Sequence, residues 1–312
     1  MPKVIEQVVT NRFALYNADC VEAVSALPDN SIDLSVFSPP FASLYTYSAS
    51  PRDMGNSIDG DEFAKHFRFL VADLLRVTKP GRLIAVHCMQ LPTSKTRDGM
   101  IGIRDFRGEL IRSFVEAGGI YHSEVCIWKD PVTAMQRTKS LGLLHKTIRT
   151  DSSMSRQGLP DYVVVIRKVG KNPDPIAHTG SDALAKVETW QRYASPVWVT
   201  TGEADNEGFA KCTADINPSE TLQHRSARED KDERHICPLQ LEVIRRVVRL
   251  WSAPGDVVLS PFAGIGSEGH VALQEGRRFI GAELKTSYYQ QAARNLHEAA
   301  TPKTADLFSR IA

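Results

Sequence analysis

Ser38-Pro39-Pro40-Phe41 closes the apolar run from Ile32 to Phe37 and gathers a hydroxyl, carbonyls and an aromatic face at one point of the chain. Proline has no N–H and forces a turn, so a strand running into two prolines leaves carbonyls that no following ladder takes up. Two acceptors beside a ring make a pocket that holds an amine carried on a flat molecule. The same string also serves as a tight turn over a core phenylalanine. The tetrapeptide alone leaves both readings open.

A second constellation lies far downstream. The apolar run Asp256 to Ser260 enters Pro261-Phe262-Ala263-Gly264-Ile265-Gly266-Ser267, and a helical pattern follows from Glu268 to about Glu275. The next strand pattern, Arg278 to Ala282, ends in Glu283. Glycines at a strand-to-helix turn admit a ligand close to the backbone, and an acid ending the next strand suits ribose hydroxyls. This order of elements points to a nucleoside-containing cofactor. The run lacks Gly-x-x-x-x-Gly-Lys-Ser/Thr, which argues against a nucleoside triphosphate.

Ser-Pro-Pro-Phe early and Phe-Ala-Gly-Ile-Gly late, taken together, resemble the β class of amino-methylating DNA methyltransferases, in which the catalytic half precedes the half that holds S-adenosyl-L-methionine. Asn17-Ala18-Asp19-Cys20, followed by Leu27 to Asp33, is similar to the opening segment of that class. Val77 to Gly81 ahead of Arg82 to Val86 resembles its helix–turn–strand unit. His235-Ile236-Cys237-Pro238 ahead of Leu241 resembles the segment that closes over the methionine end of the cofactor. The likeness covers most of the chain outside roughly 169–230.

The resemblance implies roles, residue by residue. Ser38 and the Pro39 carbonyl would accept from the amine of a base flipped out of the duplex, Pro40 would stiffen the loop, and Phe41 would stack on the base. Asp19, with Cys20 beside it, would receive the adenine of the cofactor and Glu283 its ribose. Ser260, Phe262, Ala263, Gly264, Gly266 and Ser267 would form the turn under the methionine, closed by His235, Ile236 and Pro238. One departure stands out: the class often carries an acid before Pro-Phe, and here that position is Ser260. Within the class, Ser before Pro-Pro more often accompanies cytosine N4. The longer segment, Phe37 to Tyr45 with Arg52 to Asn56 behind it, resembles orphan and prophage-borne members, and tips the expectation narrowly to adenine N6. An RNA methyltransferase and a non-catalytic DNA-binding regulator are the rival classes.

Composition sets the remaining bounds. The chain has 312 residues, a net charge of +1 and five scattered cysteines. That spacing forms neither a zinc site nor a disulfide framework, so no metal is expected and a reduced, cytoplasmic protein is. No apolar span suggests a membrane. Near-neutral overall charge means that a DNA surface must come from local segregation. Residues 136–171 supply it, with Arg137, Lys139, Lys146, Arg149 and Arg156 interleaved with hydroxyl and amide side chains suited to phosphates and base edges. Double-stranded DNA is the expected partner, a homodimer the expected assembly, and a cognate restriction nuclease is left open.

These residues need a frame to position them. Helical patterns at Phe63–Val77, Arg107–Ala117, Leu239–Trp251 and Ser287–Ala299 alternate with apolar strand runs, which predicts an α/β doubly wound, mainly parallel sheet. Ligands of such sheets bind at the carboxyl ends of the strands, where both Ser38 and Gly264 fall. The alternating segments 119–129 and 162–167 are expected to pair at the sheet edge. Residues 1–135 are read as the catalytic half, 136–234 as the DNA-contacting loop, edge strand and target-recognition insertion, and 235–312 as the cofactor half. Within the insertion, Trp190, Tyr193 and Trp198 predict local order, and Thr221 to Arg234 reads as a mobile charged connector.

Overall fold

Ile32–Phe37 is buried at all positions, although Asp33 and Ser35 interrupt its apolar character. A strand covered on both faces belongs in the middle of a parallel sheet, where helices shield each side. The computed structural model describes residues 4–41, 60–132, 143–200, 216–223 and 239–301. Its strands are β1 (Glu6–Val9), β2 (Phe13–Asn17), β3 (Ile32–Phe37), β4 (Thr78–Met89), β5 (Leu91–Pro92), β6 (Ile103–Arg104), β7 (Ile120–Trp128), β8 (Asp161–Arg167), β9 (Val197–Val199), β10 (Val257–Ser260) and β11 (Arg278–Glu283). The α-helices among the described residues are α1 (Cys20–Ser25), α2 (Gly60–Val77), α3 (Lys95–Asp98), α4 (Phe106–Glu116), α5 (His145–Thr150), α6 (Val187–Tyr193), α7 (Leu241–Trp251), α8 (Ser267–Gln274) and α9 (Thr286–Ala300).

Nine strands form one sheet in the order β1-β2-β11-β10-β3-β4-β8-β7-β9. The five from β2 to β4 are mutually parallel; β1, and β8 against both β4 and β7, pair antiparallel, and β9 adds parallel to β7. The two halves of the chain thus meet in mid-sheet, with β10 directly beside β3. One core lies between the sheet and α7, α8 and α9, and the other between the sheet and α1, α2 and α4. Helix α7 shows why: Leu241, Ile244, Val247 and Val248 recur at helical spacing on its buried face.

A buried charge cluster locks β3, β4 and β10 together. Asp33 accepts from Lys79 at 2.6 Å, from Arg82 at 3.0 Å and from the Val257 N–H at 2.9 Å. The same Arg82 nitrogen reaches Asp256 at 3.0 Å. Buried ion pairs are weak sources of net stability but penalise any other register, because a slip strands a charge.

Two sequence expectations need adjustment. Lys79-Pro80-Gly81 is no turn between helix and strand; it lies inside β4, which already pairs Thr78 with Ile32 and shifts register before Leu34. The pairing of β7 with β8 is as expected, but the edge belongs to β9, which pairs with the other side of β7. Trp198 of β9 is fully buried and Tyr193 nearly so, and the buried Arg246 guanidinium of α7 lies 5.3 Å and 5.2 Å from the two ring centroids. Most of the charged connector, 224–234, falls outside the described residues.

Candidate active site

Four parallel strands deliver the sequence-predicted groups to one edge of the sheet. Ser38 follows β3, Phe262 to Gly266 follow β10, Glu283 ends β11, and Asp19 lies just beyond β2. Register places Asn17 opposite Glu283, and the Asn17 side chain donates to the Glu283 and Leu284 carbonyls at 2.8 and 3.0 Å. The two acids are therefore held on neighbouring strand ends.

Each carboxylate is partly engaged by backbone. Asp19 caps α1, its Oδ1 accepting from the N–H groups of Val21 and Glu22 at 2.9 and 3.1 Å. Glu283 accepts from the Gly264 N–H at 2.8 Å through one oxygen and from the Lys285 N–H at 2.9 Å through the other. The capping role of Asp19 uses one oxygen, and the residue stays partly exposed at the sheet edge. Cys20, by contrast, points into the core beside Val24, and burial pushes its thiol well above the ordinary range, with Asp19 adding repulsion. That side chain packs.

The turn after β10 has the conformations that glycine supplies. Gly264 has φ 52° and Gly266 φ 87°, both left-handed. A Cβ on Gly266 would sit 3.2 Å from that of Ala292, whereas one on Gly264 would meet no atom within 4 Å. The Ala263 N–H donates to the Ala282 carbonyl at 2.9 Å, and the Phe262 ring lies 5.8 Å from that of Phe37, the residue before Ser38. Ser267 opens α8 and is buried, as is Ser260, whose hydroxyl has no hydrogen-bond partner among the described residues. His235, Ile236 and Pro238 lie outside the described residues, as do Arg137 and Lys139.

The tetrapeptide itself has partners that sequence reasoning missed. Ser38 Oγ is 2.8 Å from His87 Nδ1, and His87 Nε2 is 3.0 Å from Asp161 Oδ2. Lys129 forms an ion pair with the same Asp161 oxygen. Burial alone would raise the Asp161 carboxyl, but Lys129 and His87 outweigh it and hold it below its ordinary value. Facing the ionised Asp161, His87 Nε2 is the nitrogen placed to donate. In the ring tautomer with its single proton on Nε2, Nδ1 accepts from the Ser38 hydroxyl. Phe41 packs edge-on to His87 and Phe106, with ring centroids 6.4 and 6.2 Å away.

The signal for His87 was present: one imidazole inside the otherwise apolar Ile84–Met89 of β4, the strand next to β3. Phe37 pairs with Val86, which sets Ser38 beside His87. Asp161 gave no such signal, because its approach depends on the antiparallel pairing of β8, where it sits opposite Met89.

Among the basic residues, Lys146 and Arg149 are exposed on α5. Arg156 instead spends part of its guanidinium on the Gly102 carbonyl at 2.9 Å, tying the basic segment to the β5–β6 hairpin. No helix among the described residues is long and apolar enough to cross a membrane.

Comparison with known proteins places this edge in context. M.BglII, a type II methyltransferase of Bacillus subtilis, is 26% identical over 282 residues, covering 88% of this chain. The match spans 66% of M.BglII, just under two thirds of that relative's length. The fold matches that of TTHA0409 of Thermus thermophilus, solved with S-adenosyl-L-methionine, at TM-score 0.63 and 19% identity over 93% of this chain and 97% of that one. It also matches the cytosine-N4-specific PvuII DNA methyltransferase at TM-score 0.61 and 15% identity, covering 94% and 90% of the two chains. The model of the N6/N4 DNA methylase family matches residues 32–294, from the first residue of β3 into α9, so this chain belongs to that family.

Proposed function

We propose that this protein transfers a methyl group from S-adenosyl-L-methionine to the exocyclic amine of a base flipped out of double-stranded DNA. The observation that carries the reading is the hydrogen-bonded chain Ser38–His87–Asp161 at the end of β3, beside the glycine turn of β10. The residues present fit the cofactor. Two acids stand on adjacent strand ends, and the turn between β10 and α8 is bare at Gly264. Asp19 would take the adenine amine, Glu283 the ribose hydroxyls, and Phe262 to Gly266 the methionine backbone. When bound, the cofactor supplies a sulfonium-activated methyl ready for in-line displacement.

The chain's own residues prepare the amine. Its lone pair is delocalised into the base, so hydrogen bonds from its two N–H groups to Ser38 Oγ and the Pro39 carbonyl favour a tetrahedral, nucleophilic nitrogen. Nitrogen gains a methyl and must shed a proton. Ser38 Oγ accepts that proton while passing its own to His87 Nδ1, and the imidazolium so formed is stabilised by Asp161. Phe41 holds the extruded ring, and the fixed strand ends hold amine and methyl in line.

The proton path bears on the base. A hydroxyl takes up charge only by handing on its own proton, whereas an acid at position 38 would be a fixed anion. The cytosine amine is the more amide-like of the two and its N–H the more acidic, so a relay suits it better. We therefore assign cytosine N4, against the narrow sequence expectation of adenine N6. Lys146 and Arg149, exposed on α5, face the DNA in this reading. Nucleoside mass spectrometry on DNA from a methylation-free host, with Phe41→Ala as control, tests both levels. N4-methylcytosine that vanishes in the control supports the whole reading; N6-methyladenine would retain the pocket and overturn the base; neither mark would overturn DNA methylation.

A further inference from the structure

The family resemblance leaves one electrostatic gap: Ser260 occupies the position where an acid often precedes Pro-Phe. Burial supplies a candidate to fill it. Glu268 lies in the first turn of α8, two residues beyond Gly266, and is 6% exposed. Side chains on a helix project back toward its N-terminus, which sends this carboxyl toward the Gly264–Gly266 turn. Among the described residues it forms no ion pair, and the one charged group acting on it is Glu283, of like sign. Burial first and Glu283 second push the carboxyl up to about 8, offset only in part by its own backbone N–H.

The cations on adjoining elements are engaged elsewhere. On α7, Arg245 pairs with Glu242 and Glu275, Arg246 with Glu242, and Arg249 with Glu275. On α9, Arg294 donates to Gln291, and Lys285 at its N-cap lies 4.6 Å from the Tyr288 ring centroid. His270 of α8 itself bonds the Asn295 carbonyl, and His297 of α9 meets the Phe13 ring. Strand β10 brings no charged side chain to the turn, only the unpartnered Ser260 hydroxyl. A buried carboxyl among such neighbours is costly until a cation arrives.

We infer that Glu268 receives the α-ammonium of the cofactor's methionine end and gives up its proton as the cofactor binds. This rests on the S-adenosyl-L-methionine reading above. The ammonium is the better match than the sulfonium, because its charge is unchanged in the reaction. A carboxylate at the sulfonium would stabilise the charged ground state more than the transition state, in which that charge is dispersing.

Calorimetry on the full chain separates the cases, using S-adenosylhomocysteine, S-adenosylmethionine and methylthioadenosine at pH 6.5 in buffers of different ionisation heat. The first retains the ammonium without the sulfonium charge, and the last lacks both. Wild type is expected to release close to one proton per S-adenosylhomocysteine bound. Glu268→Gln should release none and bind it about 10–100-fold more weakly, as expected for a lost charged hydrogen bond, with methylthioadenosine unaffected. Adding Ser260→Asp to that variant should restore part of the affinity, which a folding defect would not allow. Unchanged affinity and proton release in Glu268→Gln would overturn the inference. So would a loss confined to S-adenosylmethionine, which would put the carboxylate at the sulfonium. If wild type binds none of the three, the cofactor reading itself falls, and the role of Glu268 with it.

Discussion

Ser38 Oγ lies 2.8 Å from His87 Nδ1, joining the turn after β3 to the C-terminal part of β4. Asp161 anchors His87 through Nε2, and in the proposed relay the serine proton passes to Nδ1. General base help of this kind contributes about 10²–10⁴-fold. His87→Ala should therefore lower the single-turnover methylation rate by about 100-fold or more while cofactor affinity stays put. A rate within threefold of wild type would reduce the imidazole to a packing role.

Asp161 links this chemistry to stability. A carboxyl held low in the folded state stabilises it above the unfolded value, and that contribution is lost as pH falls through the folded value. With an ordinary value of 3.8, the gap in Tm between wild type and Asp161→Asn should be full at neutral pH and close below about pH 3.8. Thermal melts from pH 3 to pH 8 check this; a gap that persists unchanged at acid pH would mean that the carboxylate charge is not the source.

Arg246 holds the edge strand. Its side chain is fully buried, stacked near Tyr193 and Trp198 and bonded to Glu242 at 3.2 Å. Replacing it by alanine leaves Glu242 without that partner and hollows the packing under β9, at a cost of about 3 kcal/mol. Hydrogen exchange should then increase first in Val197–Val199 and α6. Uniform exchange across the sheet would argue that the arginine has no special tie to the insertion.

The exposed cations of α5 make a separate, DNA-side prediction. If Lys146 and Arg149 each meet a phosphate, alanine at either should weaken DNA binding on all sequences alike and flatten the salt dependence by about one unit of slope. Binding isotherms between low and moderate salt measure that slope. An unaltered slope in the double variant would move the DNA face away from α5.

What the sequence by itself determined is local. Strand runs ending in Pro-Pro or in a glycine turn declare their own termini, so Ser38, Gly264 and Glu283 were legible at strand ends before any fold was known. Amphipathic spacing foretold α7 and α9 to within two residues. Only the tertiary structure decided which distant residues complete those ends. His87 belongs to a strand that pattern alone assigns to the core, and Asp161 reaches it only through the antiparallel pairing of β4 with β8. Cys20, beside a cofactor-side acid in sequence, turned inward because the α1 face it shares with Val24 packs on the sheet. The physical reason is one of range. Propensity and turn chemistry act over a few residues, while a proton relay is made by strand order and register, which the whole core sets at once.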